Sequence, residues 1–282
     1  KLISAPLPND YNGDQTSRQQ WEAVSRALGR LDNRLPYIVC QGNHDLGYIA
    51  AEHRYSMMPD YVYPERNSTF AKALVATGPN YQGVHTLENA AYEFCDKAWG
   101  KILVVAMEFA PRDEALDWAR QLIETERFKN HKVFILVHSF LNTAGDRIKS
   151  EGYKLESRNW PQAVWEKLVY PSKNIKMVLC GHSGETPKMA DLNNIDYKPS
   201  SSFRIDKAHD GRNVVQMMFN SQQGDGNWNG NGGDCWLRIL EFKPDGKSIG
   251  VRTFSPLFAL SKRTQHMAWR TDDYDQFVIT IE

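Results

Sequence analysis

The apolar residues of the chain fall into two patterns, continuous runs and helical spacing. Three continuous runs, at 35–40, 133–137 and 175–180, are rich in valine, isoleucine and leucine and have the length of strands. A run without polar alternation is typical of a strand that is covered on both faces. These runs therefore predict three buried strands.

Helical spacing separates the runs. Residues 17–30 place Trp21 and Val24 at helical positions behind Ser17, the predicted N-cap. The strongest helical pattern covers 112–128, and a third helix is predicted over 160–170. Strands interleaved with helices in this way predict a layered α/β fold.

The other segments carry weaker patterns. Residues 50–82 contain several prolines and are predicted to be irregular, whereas 84–95 and 101–109 are predicted to form a strand pair. The last hundred residues change character and alternate as strands do, at 213–220, 235–243, 249–254 and 276–281. We therefore expect a β-rich C-terminal portion.

Composition narrows the class of partner. The 282 residues include 34 basic and 34 acidic side chains, so the formal net charge is zero, and the basic excess typical of a nucleic-acid binder is lacking. No apolar run is long enough to predict a membrane span, and the first ten residues lack the pattern of a signal peptide. Cys40 and Cys180 lie in apolar runs, which favours buried thiols, and the wide cysteine spacing also admits one disulfide.

The end of each continuous run carries residues that bind metals. Asn43, His44 and Asp45 follow the first run, His138 follows the second, and His182 follows the third. Imidazole nitrogen and amide oxygen suit Mn, Zn or Fe, and such ions neutralise the charge of a phosphate ester and activate water. A glycine precedes both Asn43 and His182, which predicts a sharp backbone turn at these two strand ends.

Together these motifs resemble the calcineurin-like metallophosphoesterases. The family pattern includes G-N-H-[DE], a lone His and G-H-x-H in this order, and the chain has GNHD at 42–45, His138 in LVHSF and the GH of LCGHSG. The resemblance implies a four-layer α/β/β/α sandwich and two divalent metal ions. The order of strands and helices favours one domain over 1–282, with a loop or insertion at 1–16 and a C-terminal strand at 261–282, and the resemblance covers a family-like core at 17–260.

The resemblance assigns a role to each residue. Asn43, His138 and His182 would hold one metal ion, His44 would protonate or stabilise the leaving oxygen, and Asp45 would orient the His44 ring. The expected reaction is hydrolysis of a small phosphomonoester or diester by a hydroxide activated on the metals. Bacterial relatives with a similar C-terminal extension are often exported, so a periplasmic or secreted location is the expectation by analogy.

The chain departs from the family pattern in three places. No D-x-H block follows an apolar run, so we expect that block upstream of the sequence. Gly13-Asp14 stands where a G-D block could supply the bridging Asp14 ligand, but the residues before it do not resemble a strand. Gly184 replaces the last His of G-H-x-H, which leaves a catalytically impaired binding module as the alternative function.

Other polar features have simpler interpretations. The loop at 222–234 is mostly Gly, Asn and Asp, whose oxygens suit calcium, although the spacing of these residues matches no known set of calcium ligands. Trp228 at its centre could cover a substrate, and the loop also admits a metal-dependent carbohydrate-active or lectin-like protein as a third function. A connecting loop is the simpler prediction. The remaining histidines are predicted to be surface or structural residues, namely His53, His85, His131, His209 and His266.

Overall fold

The computed structural model describes residues 17–184, 200–222 and 233–282. Two compact units interleave along the chain. Unit 1 consists of the described residues up to Cys95 together with Lys101–Ser139 and Ile148–Ile175. Unit 2 consists of Asp96–Gly100, Phe140–Arg147 and the described residues from Lys176 onward. The single domain expected over 1–282 stays a prediction.

All three predicted helices are present. Each begins within one residue of its predicted start, and α5 continues into a π-helical turn at Trp165–Val169. The helices of the described residues are α1 (Ser17–Leu28), α2 (Met58–Tyr61), α3 (Phe70–Ala73), α4 (Asp113–Glu124), α5 (Pro161–Val164) and α6 (Pro256–Ala259). Asp113 and Glu114 lie in the first turn of α4, where carboxylates interact favourably with the helix dipole.

The sheet of unit 1 contains four strands, in spatial order β1-β2-β3-β4. β1 and β2 are antiparallel, and β3 and β4 are parallel. The strands are β1 (Leu74–Pro79), β2 (His85–Asp96), β3 (Gly100–Ala106) and β4 (Lys132–Leu136). The predicted strand pair is thus confirmed as β2 and β3, and the run at 133–137 as β4.

The prediction that residues 50–82 are irregular was wrong at β1. This strand contains Gly78 and Pro79, and it was not predicted because both residue types normally interrupt strands. β1 is an edge strand of the sheet, and an edge strand tolerates the missing backbone donor of a proline. The glycine serves packing, since a β-carbon at Gly78 would lie 2.6 Å from the Trp118 ring of α4.

The predicted strand at 35–40 was also wrong. Residues 36–42 form no regular element and lead directly to the turn at Asn43. Their apolar side chains are nevertheless used, because Tyr37, Ile38 and Val39 pack against a core cluster that contains Trp21 and Phe70. Side-chain burial, rather than a backbone ladder, explains the apolar run.

Unit 2 contains two groups of strands. In the first, β7 (Asn213–Asn220) pairs in parallel with β5 (Ile175–Cys180) and antiparallel with β6 (Ser200–Lys207). In the second, β9 pairs antiparallel with three strands, and the set is β8 (Leu237–Phe242), β9 (Ser248–Phe254), β10 (Trp269–Arg270) and β11 (Phe277–Thr280). The predicted α/β class with a β-rich C-terminal portion is confirmed, although β6 and β10 were not predicted.

Two further expectations concern cysteines and membrane spans. All four cysteines are free thiols in the structure. None of the helices in the described part of the chain has the length and apolarity needed to cross a bilayer.

Candidate active site

Asn43 and His138 meet in unit 1. The Asn43 side chain is 3% exposed and opens a short 3₁₀ turn, and His138 lies two residues beyond the end of β4. The distance between Asn43 Oδ1 and His138 Nε2 is 3.0 Å. Asn43 Nδ2 donates a hydrogen bond of 2.8 Å to the hydroxyl oxygen of Tyr153, which fixes the direction of the amide. Two of the predicted metal ligands are therefore adjacent, 95 residues apart in sequence.

Gly42 makes room for the His138 ring. A β-carbon at residue 42 would lie 3.0 Å from His138 Cε1 and 3.1 Å from Nδ1. The backbone of Gly42 is extended, with φ of −106° and ψ of 174°, a conformation that any residue adopts. The sequence predicted that this glycine permits a sharp turn, but the structure shows that it permits the His138 ring to lie close to the backbone.

An aromatic cluster supports the pair. The Phe109 ring is buried and makes edge contacts with His138, at 5.8 Å between ring centroids, and with Tyr153, at 5.4 Å. Burial raises the pKa of Tyr153 to about 12, and the charge of Glu151 adds to the effect. Tyr153 therefore keeps its proton at neutral pH and holds Asn43 as an uncharged partner.

The Asn43–His138 pair fits one divalent metal ion. Two ligands about 2.1 Å from a shared ion lie about 3.4 Å from each other at a tetrahedral angle, and about 3.0 Å from each other at the right angle of octahedral coordination. The observed separation between Oδ1 and Nε2 has the second of these values. Because an amide oxygen only accepts hydrogen bonds, Nε2 carries the proton when the two side chains contact each other directly, and an ion would take the place of that proton.

His44 is held by the loop that follows it. Its Nδ1 lies 2.7 Å from the carbonyl oxygen of Ile49. Since a carbonyl oxygen only accepts, Nδ1 must carry a proton, and any exchange of a proton with a substrate falls to Nε2. The loop itself is fixed by Glu52, whose carboxylate accepts hydrogen bonds of 2.9–3.2 Å from the backbone N–H groups of Tyr48, Ile49 and Ala50. Glu52 thus positions the carbonyl group that binds His44.

Asp45 closes the 3₁₀ turn on which Asn43 lies. Its Oδ2 accepts a hydrogen bond of 2.7 Å from the backbone N–H of Gly42. Burial raises the pKa of Asp45 to about 6, against the lowering effect of this hydrogen bond. The described contact of Asp45 is therefore with the backbone of its own turn, and the predicted role in orienting His44 stays a prediction.

A buried polar network behind the turn was missed in the sequence. Gln41 Nε2 donates to Glu88 at 2.6 Å, and Gln41 Oε1 accepts from the backbone N–H of Phe109 at 3.4 Å. Glu88 also accepts from Asn80 Nδ2 at 2.8 Å and from the Thr86 hydroxyl at 2.9 Å. Burial raises the pKa of Glu88, while these donors favour its charged form. Gln41 thereby ties the start of the GNHD motif to the backbone of Phe109.

His182 lies in unit 2, two residues beyond β5. Its φ of 66° is in the left-handed region, so His182 itself, rather than Gly181, carries the unusual backbone conformation of this turn. Asn220 Nδ2 donates to the His182 carbonyl oxygen at 3.0 Å and lies 3.3 Å from where a β-carbon at Gly184 would be. That His182 shares an ion with Asn43 and His138 stays a prediction.

The other predicted ligands give a mixed picture. Asp14 and Trp228 lie outside the described residues. Within 17–184, 200–222 and 233–282, no three His, Cys, Asp or Glu side chains form a group that could hold a metal ion. Of the histidines predicted to be structural, His131 is 3% exposed and its Nε2 lies 2.7 Å from Glu93, as expected of a core residue with a partner.

Comparison with known proteins identifies the family. The sequence model of the calcineurin-like phosphoesterase family matches residues 11–185. The chain belongs to the calcineurin-like phosphoesterases. The matched range contains Asn43, His44, Asp45, His138 and His182, and it begins before Asp14. Calcineurin-like phosphoesterases as a family hydrolyse phosphate esters with the help of divalent metal ions, so the family and the predicted motifs agree.

One curated relative of this calcineurin-like phosphoesterase is the uncharacterized protein YvnB of Bacillus subtilis (strain 168). The two sequences are 25% identical over 251 residues, which is 88% of this chain and 16% of YvnB. The chain therefore spans about a sixth of the length of the relative that it matches.

Proposed function

We propose that the chain hydrolyses a small phosphomonoester or phosphodiester with divalent metal ions held in part by Asn43 and His138. The observation that carries the proposal is the 3.0 Å separation of Asn43 Oδ1 and His138 Nε2, which suits two ligands of one ion. His182 is proposed as a third ligand. Mn, Zn and Fe are the ions that this mixture of amide and imidazole ligands favours.

Bound metal ions would neutralise the charge of the phosphoryl group and activate water for attack on phosphorus. The residues of the chain then orient the substrate and move protons around it. Tyr153 holds Asn43 through a hydrogen bond, and the Phe109 ring packs against His138. Because Phe109 is only 1% exposed, water has little access to this side of the pair. A ligand pair that is fixed before the substrate arrives lowers the reorganisation needed in the transition state.

His44 is proposed as the group that protonates or stabilises the leaving oxygen. The Ile49 carbonyl oxygen accepts a hydrogen bond from the proton on His44 Nδ1, so Nε2 is the nitrogen that would donate to the leaving oxygen. His44 Nε2 would deliver its proton to the ester oxygen as the bond to phosphorus breaks. Because Glu52 fixes the Ile49 loop, the ring orientation is set by the fold rather than by the substrate.

One observation favours the alternative function, a ligand-binding module with an incomplete metal site. Gly184 stands where the family pattern has the last His of G-H-x-H, and glycine has no side chain to bind a metal. Metal binding at Asn43 and His138 without hydrolysis would be the signature of this alternative.

The test is hydrolysis of p-nitrophenyl phosphate and bis-p-nitrophenyl phosphate in the presence of Mn²⁺. We expect turnover by the wild type, a loss of about 10²–10⁴-fold in His44→Ala, as for removal of a general acid, and near-complete loss in His138→Ala. The exposed His266 supplies the control His266→Ala, which should retain wild-type rates. Wild-type metal binding without turnover of either ester would favour the binding module, and equal rates in His138→Ala and the wild type would remove His138 from the site.

A further inference from the structure

Four aromatic rings of unit 1 form a continuous row, and three of them belong to the loop that holds His44. The row, which we term the tyrosine row, consists of Tyr48, His53, Tyr55 and Tyr81. Neighbouring ring centroids are 4.9, 5.5 and 5.7 Å apart, and each pair meets edge to face. Aromatic rings prefer this geometry, so each ring of the row supports the next.

The tyrosines of the row are open to solvent. The exposed fractions are 65% for Tyr48, 55% for Tyr55 and 39% for Tyr81. A single exposed aromatic residue is ordinary, whereas contiguous exposed rings are typical of a surface that binds a ligand. Tyrosine suits such a surface, because it offers a large contact area and has few rotatable bonds to immobilise.

The backbone under the row is fixed by hydrogen bonds. The Glu52 carboxylate accepts from the backbone N–H of Tyr48 at 2.9 Å, and the N–H of Gly47 donates to the Tyr55 carbonyl oxygen at 3.1 Å. His53 Nδ1 accepts from the N–H of Tyr55 at 3.3 Å, which orients the imidazole ring between its two tyrosine neighbours. The rings are therefore positioned before a ligand arrives, which lowers the entropic cost of binding.

Tyr48 is the end of the row that lies next to His44 in the loop. Tyr48 precedes Ile49, whose carbonyl oxygen is 2.7 Å from His44 Nδ1. Covalent geometry then places the Tyr48 α-carbon within about 9 Å of this nitrogen. The proposed partner of the leaving oxygen is Nε2 of the same imidazole ring, so a group attached to that oxygen leaves the phosphate within reach of Tyr48.

We propose that the tyrosine row binds an aromatic ring in the leaving group of the phosphate ester, and that Tyr48 determines this specificity. The inference rests on the proposed function, because His44 meets the leaving oxygen in that reaction. The row contains no lysine or arginine to bind a second phosphate, and the Tyr81 hydroxyl oxygen lies 3.5 Å from the Glu156 carboxylate. The substrate class is thus an ester of an uncharged alcohol that carries an aromatic ring.

Two matched esters test the proposal on the intact chain with Mn²⁺. 2-Phenylethyl phosphate and 2-cyclohexylethyl phosphate have similar leaving oxygens and similar size, and only the first carries an aromatic ring. We expect the wild type to hydrolyse the phenyl ester with a kcat/KM about threefold to tenfold higher, the effect of an aromatic contact beyond burial. In Tyr48→Ala the ratio should fall to about one, and Tyr48→Phe should keep the ratio because it retains the ring.

The control variant is Tyr63→Ala. Tyr63 is also a tyrosine of unit 1 and is 44% exposed, but it is not part of the tyrosine row. This variant should show the ratio of the wild type. The wild-type ratio in Tyr48→Ala, or the same fall in Tyr63→Ala, would overturn the proposal.

Two unreactive analogues separate the ring site from hydrolysis. 3-Phenylpropylphosphonate and 3-cyclohexylpropylphosphonate carry a methylene group in place of the ester oxygen. Isothermal titration should show that the Mn²⁺-loaded wild type binds the phenyl compound about threefold to tenfold more tightly, and that Tyr48→Ala loses this preference. This comparison within the wild type stands even if a variant does not fold.

The two readouts fail in different ways. A preference for the phenyl phosphonate without hydrolysis of either ester would contradict the proposed hydrolysis and support the tyrosine row as a ring site. Hydrolysis of both esters at equal kcat/KM, together with equal affinity for both phosphonates, would overturn the role of the tyrosine row and leave the proposed hydrolysis intact.

Discussion

Gly42 and His138 are packed so closely that a side chain at residue 42 would crowd the imidazole ring. A β-carbon there would lie 3.0–3.2 Å from three atoms of the imidazole ring, a contact that requires the ring to move by a few tenths of an ångström. The buried Phe109 side chain makes an edge contact with the same ring, which limits the space into which the ring could move. Gly42 therefore affects the position of a proposed metal ligand, although it has no side chain to bind the ion itself.

Gly42→Ala should weaken metal binding more than it weakens the fold. We expect a loss of Zn²⁺ affinity of about 10–100-fold, the range found when a residue that orients a ligand is changed. Isothermal titration measures the affinity. Gly152→Ala is the control, because a β-carbon at residue 152 would meet nothing within 4 Å. Unchanged affinity in Gly42→Ala would mean that His138 does not bind the ion in this orientation.

Glu52 should affect catalysis through His44. Glu52→Gln replaces an acceptor that three backbone N–H groups share, which loosens the loop that carries the Ile49 carbonyl. We expect kcat to fall by about tenfold with a smaller change in KM, since the loss concerns transition-state orientation. Glu126→Gln, an exposed residue paired with Lys129, is the control. A change confined to KM would argue for a role in substrate binding instead.

Asp206 should make the stability of the chain depend on pH. Burial alone would raise the pKa of Asp206, but hydrogen bonds from Arg204, Gln216 and Arg147 hold it well below its ordinary value. A carboxylate with a lowered folded-state pKa stabilises the fold above its unfolded pKa, and this contribution is lost as pH falls below about 4. Asp206→Asn should therefore lower the free energy of unfolding by about 2 kcal/mol at pH 7, and the deficit should shrink toward pH 3.

Urea unfolding of the wild type and Asp206→Asn at pH 7, 5 and 3 measures this deficit. Asp117→Asn serves as the control, since Asp117 is an exposed partner of Arg120. A deficit of the same size at all three pH values would show that the charge of Asp206 is not what the arginines stabilise.

The buried polar network of Gln41 and Glu88, which lies behind the turn that carries Asn43, gives a further prediction. Gln41→Leu removes a donor to Glu88 and an acceptor of the Phe109 N–H, and both groups are buried. Leaving buried polar groups unpaired costs about 1–3 kcal/mol each. We expect a lower melting temperature together with weaker metal binding, measured by calorimetry on the same samples. A lower melting temperature with unchanged metal affinity would separate the network from the site.

Much of the fold could be predicted because its signals are local. The apolar run before His138 and the helical spacing over 112–128 are properties of neighbouring residues, and β4 and α4 confirm both. The run at 35–40 has the same local signal but forms no strand, because a strand also needs a neighbour with a free edge, which the run does not reveal. β1 was missed because Gly78 weakens the local strand signal. The reason for this glycine is a contact with Trp118 of α4, which is far away in the sequence.

The residues of the candidate site also fall into those that the sequence predicts and those that only the folded chain shows. Asn43, His44 and His138 could be found because short motifs mark them and because the family pattern orders them. Glu52 and Glu88 could not, since their partners are backbone groups and side chains that only the folded chain brings together. One signal was visible for Glu88, an acidic residue inside the predicted strand at 84–95, where a carboxylate requires partners if it is buried.

The central claim is that Asn43 and His138 hold the same ion. Titration of Zn²⁺ into the wild type, Asn43→Ala, His138→Ala and the double variant tests it directly. If the two side chains share an ion, the losses in binding free energy should be strongly non-additive, and the double variant should bind little worse than the weaker single variant. Additive losses, or wild-type affinity in either single variant, would contradict the account.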